Sequence, residues 1–171
     1  GFDVLEVCLE DPALVDAGAV ARAAGEAGIA VSVCGAFGPA RDLSSADGAV
    51  RRHAVAYLER CVDLAAAVGS PHVAGPMYAA TGKAPAPTVA DRDAQRRRAA
   101  AALAGVADHA AAHGVRLAIE PLNRFETDLV NTVEQGLELC EEIGRPNVGL
   151  LLDTFHMNVE ERSPAAAVEL A

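Results

Sequence analysis

A chain of 171 residues with 51% hydrophobic side chains is long enough to bury a core and too apolar to be disordered. Its formal charge of −10 argues against a broad basic surface for nucleic-acid backbones. Its apolar residues, largely alanine, form no run of the roughly 18 to 20 needed to span a bilayer. The one basic cluster, Arg96 to Arg98, falls in a helical stretch and reads as a solvated face. Cys8, Cys34, Cys61 and Cys140 form no CxxC pair, so neither a zinc knuckle nor a disulfide framework is expected, and a reducing cytoplasm fits.

In chain order, Gly1 to Leu9 alternates like a strand, and Asp11-Pro12 supplies a cap and a first-turn proline for a helix that runs to Ala27 and stops at Gly28. Ile29 to Cys34 is the next strand. A loop through Gly38-Pro39 leads to a long helix from about Ser45 to Val68, closed by Gly69. His72 to Gly75 is a short strand, followed by the Gly- and Pro-bearing loop Pro76 to Ala90, long enough to act as a lid or binding loop. Asp91 to His113 reads as helix and Val115 to Glu120 as strand. Asn131-Thr-Val-Glu134 reads as a capping-box variant for a helix ending at Gly144. Val148 to Asp153 is the last strand, and Ser163-Pro164 opens a final helix.

Five strands alternating with helices predict a parallel sheet. Within the strands, Leu5, Val7, Leu9, Ile29, Val31, Val33, Leu117, Ile119, Val148, Leu150 and Leu152 share one parity and suit packing under helices. The other parity carries Glu6, Cys8, Ala30, Ser32, Cys34, Ala118, Glu120, Gly149, Leu151 and Asp153, small or polar toward the C-terminal ends. A doubly wound sheet would be apolar on both faces. The asymmetry predicts α/β architecture of the (β/α)8 TIM-barrel kind, with the small and polar face turned to the barrel interior. Five units do not close such a barrel. The expectation is a single barrel domain over 1–171, partial at both ends, lacking the first strand and the last two.

Glu120 and Asp153 both end a strand and both point inward, which offers two hard oxygen ligands to a divalent cation. The competing reading is that each caps backbone or pairs with an arginine such as Arg124. His156, three residues after Asp153, is expected on the turn beyond the strand, as a ligand, hydrogen-bond donor, proton shuttle or loop anchor. Glu126 is either a site acid or a solvated loop acid, and Asn123 and Arg124 either orient Glu120 or tie down the loop.

The pair of stretches Glu120-Pro-Leu-Asn-Arg-Phe-Glu126 and Leu152-Asp-Thr-Phe-His-Met-Asn158 resembles the ketose 3-epimerases, the D-tagatose and D-psicose 3-epimerase group of the xylose isomerase-like barrels. The likeness extends more weakly through Gly1-Phe-Asp, Val33-Cys34 and Gly75-Pro76. It implies that Glu120 is a metal ligand and one of two acid/base carboxylates, and that Asp153 is a second ligand. Glu126 and His156 would hydrogen-bond the substrate, and Cys34 would line the pocket. It also implies a histidine, a second catalytic glutamate and a substrate-binding arginine from later strands, none of them in this sequence. The cation would be Mn2+ first, with Co2+ or Mg2+ as alternatives. The reaction would be C3 epimerisation of a free 2-ketose through an enediolate, in a homodimer or homotetramer with no membrane or nucleic-acid partner.

Relatives of the same fold offer other activities: hydroxypyruvate isomerase, inosose dehydratase or a sugar-phosphate epimerase, the last disfavoured by the want of an anion site. Two readings from other classes are an abasic-site endonuclease, against which the acidic balance argues, and an inactive fragment or binding module. Open barrel edges would make the isolated chain inactive and poorly soluble, or dependent on a partner for the missing strands.

Overall fold

Short apolar runs of three to six residues, all but the first preceded by a helix with a glycine at or just after its end, build the sheet. In a computed structural model that describes residues 1–86 and 88–171, five strands pair in chain order and all parallel: β1 (Val4–Leu9), β2 (Ala30–Gly35), β3 (His72–Gly75), β4 (Arg116–Ile119) and β5 (Val148–Leu150). Six α-helices accompany them among the described residues: α1 (Ala17–Ala27), α2 (Gly48–Val68), α3 (Val89–Ala112), α4 (Val133–Ile143), α5 (Thr154–Glu160) and α6 (Pro164–Leu170). Right-handed crossovers that always step to the same neighbour keep the connecting helices on one face. Accordingly α1 packs on α2, α2 on α3 and α3 on α4 in one layer. Among the described residues the opposite face has no helical layer, which is how a wall of a barrel differs from a doubly wound sheet.

The core lies between that wall and the helices. Val31, Val33, Val73, Leu117 and Ile119 meet Leu58, Cys61 and Ala65 of α2, Leu103 and Val106 of α3, and Leu139 and Ile143 of α4, all buried in one apolar cluster. Left-handed glycines Gly28, Gly69 and Gly144 end α1, α2 and α4 as expected.

The uncovered face carries its side chains in layers. Register puts Glu6, Ser32, His72 and Arg116 in one layer and Cys8, Cys34, Ala74, Ala118 and Gly149 in the next. Ser32 is held from both sides: its Oγ donates to Glu6 Oε2 at 3.2 Å and lies 2.9 Å from His72 Nε2.

Several expectations are corrected. Asp11-Pro12 opens only a 3-10 turn (Pro12–Leu14), and α1 starts separately under its own cap, Asp16. The capping box belongs to Thr132 and Gln135, not to Asn131 and Glu134. Leu5 is 49% exposed, because β1 pairs along one edge only and the helix layer concentrates on its neighbour. In the loop after β3, Met77, Tyr78, Ala79 and Ala80 are buried, and Pro87 lies outside the described residues. Tyr78 Oη donates to Val130 O at 2.9 Å, Thr81 N–H to Phe37 O and Gly82 N–H to Glu126 O, each at 2.8 Å. This loop is therefore stapled to both neighbouring loops. Arg96 pairs with Glu138 and Glu142 and Arg98 Nε donates to Ser44 O, which engages two of the three arginines of the basic cluster, while Arg97 is exposed. Among the described residues no helix is long and apolar enough to cross a membrane.

Candidate active site

The alternation that buries Leu117 and Ile119 under the helices turns Ala118 and Glu120 to the opposite face. Glu120 stands one residue past β4, but its backbone is still in the ladder: its N–H donates to Gly75 O at 3.1 Å. Pro121 follows, buried, and turns the chain away. On the next strand pairing continues for one step, Leu151 N–H to Ile119 O at 2.8 Å, and then stops. β5 thus ends at Leu150 and not at Asp153 as expected.

Asp153 instead caps α5, a seven-residue helix that sequence reading missed. Its Oδ1 accepts from Phe155 N–H at 2.7 Å, which leaves Oδ2 free on the inner side. His156 consequently sits on a helix and not on a turn. That helix directs its imidazole, 8% exposed, back between the two carboxylates: Nε2 lies 3.7 Å from Glu120 Oε1 and 3.9 Å from Asp153 Oδ2. Ligand atoms of Glu120, Asp153 and His156 all fall within 4.8 Å of one another.

Asn123 organises the other side. Its backbone N–H points at His156 Nδ1 from 3.1 Å, its Nδ2 lies 2.9 Å from the same nitrogen, and Nδ2 also donates to Glu126 Oε1 at 2.8 Å. A backbone N–H can only donate, so His156 Nδ1 must accept, and a neutral ring carries its proton on Nε2. His156 therefore presents an N–H, not a lone pair, toward the carboxylates. In that tautomer it offers a hydrogen bond to the space between them and keeps no lone pair there for a cation. Of the alternatives left open for Glu126, the Asn123 bond favours a positioned acid, 4.0 Å from His156 Nδ1, although its side chain is 38% exposed.

Arg124 does not neutralise the site. It turns outward, with Nε and Nη2 each 2.9 Å from the two oxygens of Glu160. Among the described residues neither Glu120 nor Asp153 has a lysine or arginine partner. Burial, followed by the negative charge of Asp153, Glu6 and Glu126, pushes the Glu120 carboxyl up to about 7. Two oxygen donors facing each other with no organic cation fit a hard divalent ion, which would hold Glu120 ionised.

Cys34 lies on the same face, half-buried beside Cys8; burial first, then Cys8, pushes its thiol up to about 12. It therefore remains a neutral thiol at ordinary pH, suited to lining a wall and not to binding metal as a thiolate. Glu6 and Asn123 are the residues that sequence reading undervalued. The parity of Glu6 was visible, but the effect of its charge on Glu120 was not.

The chain belongs to the xylose isomerase-like TIM barrel family, whose profile matches residues 1–171. It is 43% identical over its whole length to an L-ribulose 3-epimerase of Mesorhizobium japonicum, covering 57% of that protein. It is 39% identical to a ketose 3-epimerase of Arthrobacter globiformis, with 94% of this chain and 55% of the relative covered. A solved L-ribulose 3-epimerase superposes with a TM-score of 0.93 at 42% identity, over 100% of this chain and 57% of the other. The chain therefore spans somewhat more than half the length of the relatives it matches.

Proposed function

We propose that the intact protein is a metal-dependent ketose 3-epimerase that inverts C3 of a free 2-ketose, with L-ribulose and D-psicose as first candidates from the names of its relatives. The observation that carries this reading is the meeting of Glu120, Asp153 and an Nε2–H of His156 at the C-terminal rim of one inner barrel face. These residues come from the two stretches on which the family resemblance rests.

In this reading Glu120 and Asp153 would hold a divalent cation, Mn2+ first and Co2+ or Mg2+ as alternatives, and such an ion would supply Lewis-acid polarisation of the substrate carbonyl. Glu120 removes the C3 proton; general base catalysis of this kind contributes about 10² to 10⁴ in rate. His156 donates from Nε2 to a substrate oxygen on which negative charge grows, its tautomer fixed by Asn123. Glu126, steadied by the same asparagine, accepts from a substrate hydroxyl, and Cys34 lines the wall. Inversion requires a second proton carrier on the opposite face of the sugar, which the resemblance assigns to a glutamate outside these residues.

We further read the chain as part of one barrel domain, in a protein that works as a homodimer or homotetramer in a reducing cytoplasm, consistent with four free thiols. The intact protein with Mn2+ should interconvert ribulose with xylulose, or psicose with fructose, and incorporate one solvent deuterium at C3 in D2O. Glu120→Gln should lower the rate by about 10² or more. Failure to epimerise any 2-ketose at C3, or full activity in Glu120→Gln, would overturn the assignment.

A further inference from the structure

On the outer helical layer three side chains converge that the proposed epimerase reaction does not use. Asp63 projects from α2, His109 from the last turn of α3, and His113 is the residue that caps that helix. The two histidines are four residues apart, so one helical face presents both rings. Their centroids are 4.4 Å apart at an interplanar angle of 38°. His109 Nε2 is 2.8 Å from Asp63 Oδ1, and His113 Nε2 is 3.6 Å from the same oxygen. All three ligand atoms fall within 4.8 Å of one another.

The hydrogen bonding of His113 decides what this group can do. Its Nδ1 lies 2.9 Å from the carbonyl oxygen of His109, and a carbonyl only accepts, so Nδ1 carries a proton. In the neutral ring Nε2 is then a lone pair, and it faces the carboxylate oxygen of Asp63, a second acceptor, with no hydrogen between them. A metal cation between them would satisfy both acceptors, as would a bridging proton. An Nδ1–H bonded to a backbone carbonyl is also the outer contact that orients histidines for metal binding through Nε2. Donor atoms around a tetrahedral ion at bond lengths of about 2.0–2.1 Å stand about 3.3 Å apart. The separations of 2.8 and 3.6 Å bracket that value, so small rotations of exposed side chains suffice.

We infer that Asp63, His109 and His113 form a second metal site, for a borderline transition-metal cation of the Zn2+, Ni2+ or Cu2+ type, that clips the end of α3 to α2. Two imidazoles and one carboxylate favour such ions over Mn2+ or Mg2+, which suit the all-oxygen pair Glu120 and Asp153. The incoming ion takes the place of the hydrogen between His109 Nε2 and Asp63 Oδ1, and that proton moves by tautomerisation to His109 Nδ1, so the ring binds as a neutral imidazole. Solvent completes the coordination sphere, since the three side chains are 30%, 39% and 54% exposed.

The test uses the intact protein with Mn2+ already supplied. Cupric iminodiacetate serves as the spectroscopic probe, because it leaves coordination positions for an imidazole pair, and Zn2+ as the competing ion. One probe should bind per chain, with electron spin echo modulation from two imidazole nitrogens, and Zn2+ should displace it. His113→Ala and His109→Ala should each leave at most one imidazole and weaken binding by about tenfold or more. Asp63→Asn should weaken Zn2+ in calorimetry. Zn2+ should raise the melting temperature of the wild type but not of the double histidine variant, whose unchanged circular dichroism verifies its fold. The double histidine variant separates this signal from the active site, where His156 Nδ1 is occupied and the resemblance adds one further histidine: paired coupling that persists in that variant belongs to the rim and not to this site. A wild-type spectrum without paired imidazole coupling, or binding that survives loss of both histidines, overturns the site.

Discussion

Replacing Asn123 with alanine isolates the contact on which the geometry of the rim depends. The side chain is 3% exposed and makes three hydrogen bonds: Nδ2 to Glu126 Oε1 at 2.8 Å, Nδ2 to His156 Nδ1 at 2.9 Å, and Oδ1 from Phe125 N–H at 3.0 Å. At about 0.5–1.5 kcal/mol net each, their loss is worth about 2–4 kcal/mol. The backbone N–H of residue 123 remains 3.1 Å from His156 Nδ1, so the ring keeps its tautomer and the cost falls in the lower half of that range. Against a total stability of about 5–15 kcal/mol this is a large fraction, readable as a lower urea midpoint at unchanged slope. Freed of its partner, Glu126 loses its fixed position, and kcat/KM of the proposed epimerase should fall about 10- to 100-fold. Long-range proton–nitrogen correlation spectra report the tautomer directly. The reasoning requires Nε2–H on His156 in both wild type and Asn123→Ala. A proton on Nδ1 in the wild type, or a variant whose stability stays within about 0.5 kcal/mol of the parent, would refute it.

Three further predictions concern Glu120 and its support. With its carboxyl pushed up to about 7 in the metal-free protein, folded Glu120 holds its proton more tightly than the unfolded chain does at 4.5. Metal-free stability should therefore fall as pH rises from about 4.5 to about 7, and Glu120→Gln should remove that dependence. Mn2+ affinity should weaken about tenfold per pH unit below 7, since the ion must displace one proton; calorimetric titration across that range checks the slope, and a flat profile counts against the site. Gly75 has a φ of +128°, and a Cβ there would sit 3.1 Å from Gly35 O and from the Phe37 ring. Gly75→Ala should cost about 2–3 kcal/mol from strain and crowding. Because Gly75 O holds the Glu120 N–H, activity should drop more than in a core variant of equal stability loss, as paired denaturation and rate measurements would reveal.

The strands, the glycine stops and the inward direction of Glu120 were legible in the sequence because each rests on a local period. Two-residue alternation puts Glu120 opposite Leu117 and Ile119 wherever the strand goes, and a left-handed glycine ends a helix whatever packs on it. The same local logic failed after Leu150. Leu151 and Leu152 continue an apolar run, but pairing ends because Pro121 turns the neighbouring chain away, and Asp153 becomes a helix cap. Only the tertiary structure makes α5, and only α5 brings His156 between the two carboxylates. The proton on His156 is decided further still from its own neighbourhood, by Asn123, 33 residues earlier in the chain. Sequence alone determined which side chains face inward; which atoms of those side chains donate, accept or remain free was decided by contacts between segments that no local period connects.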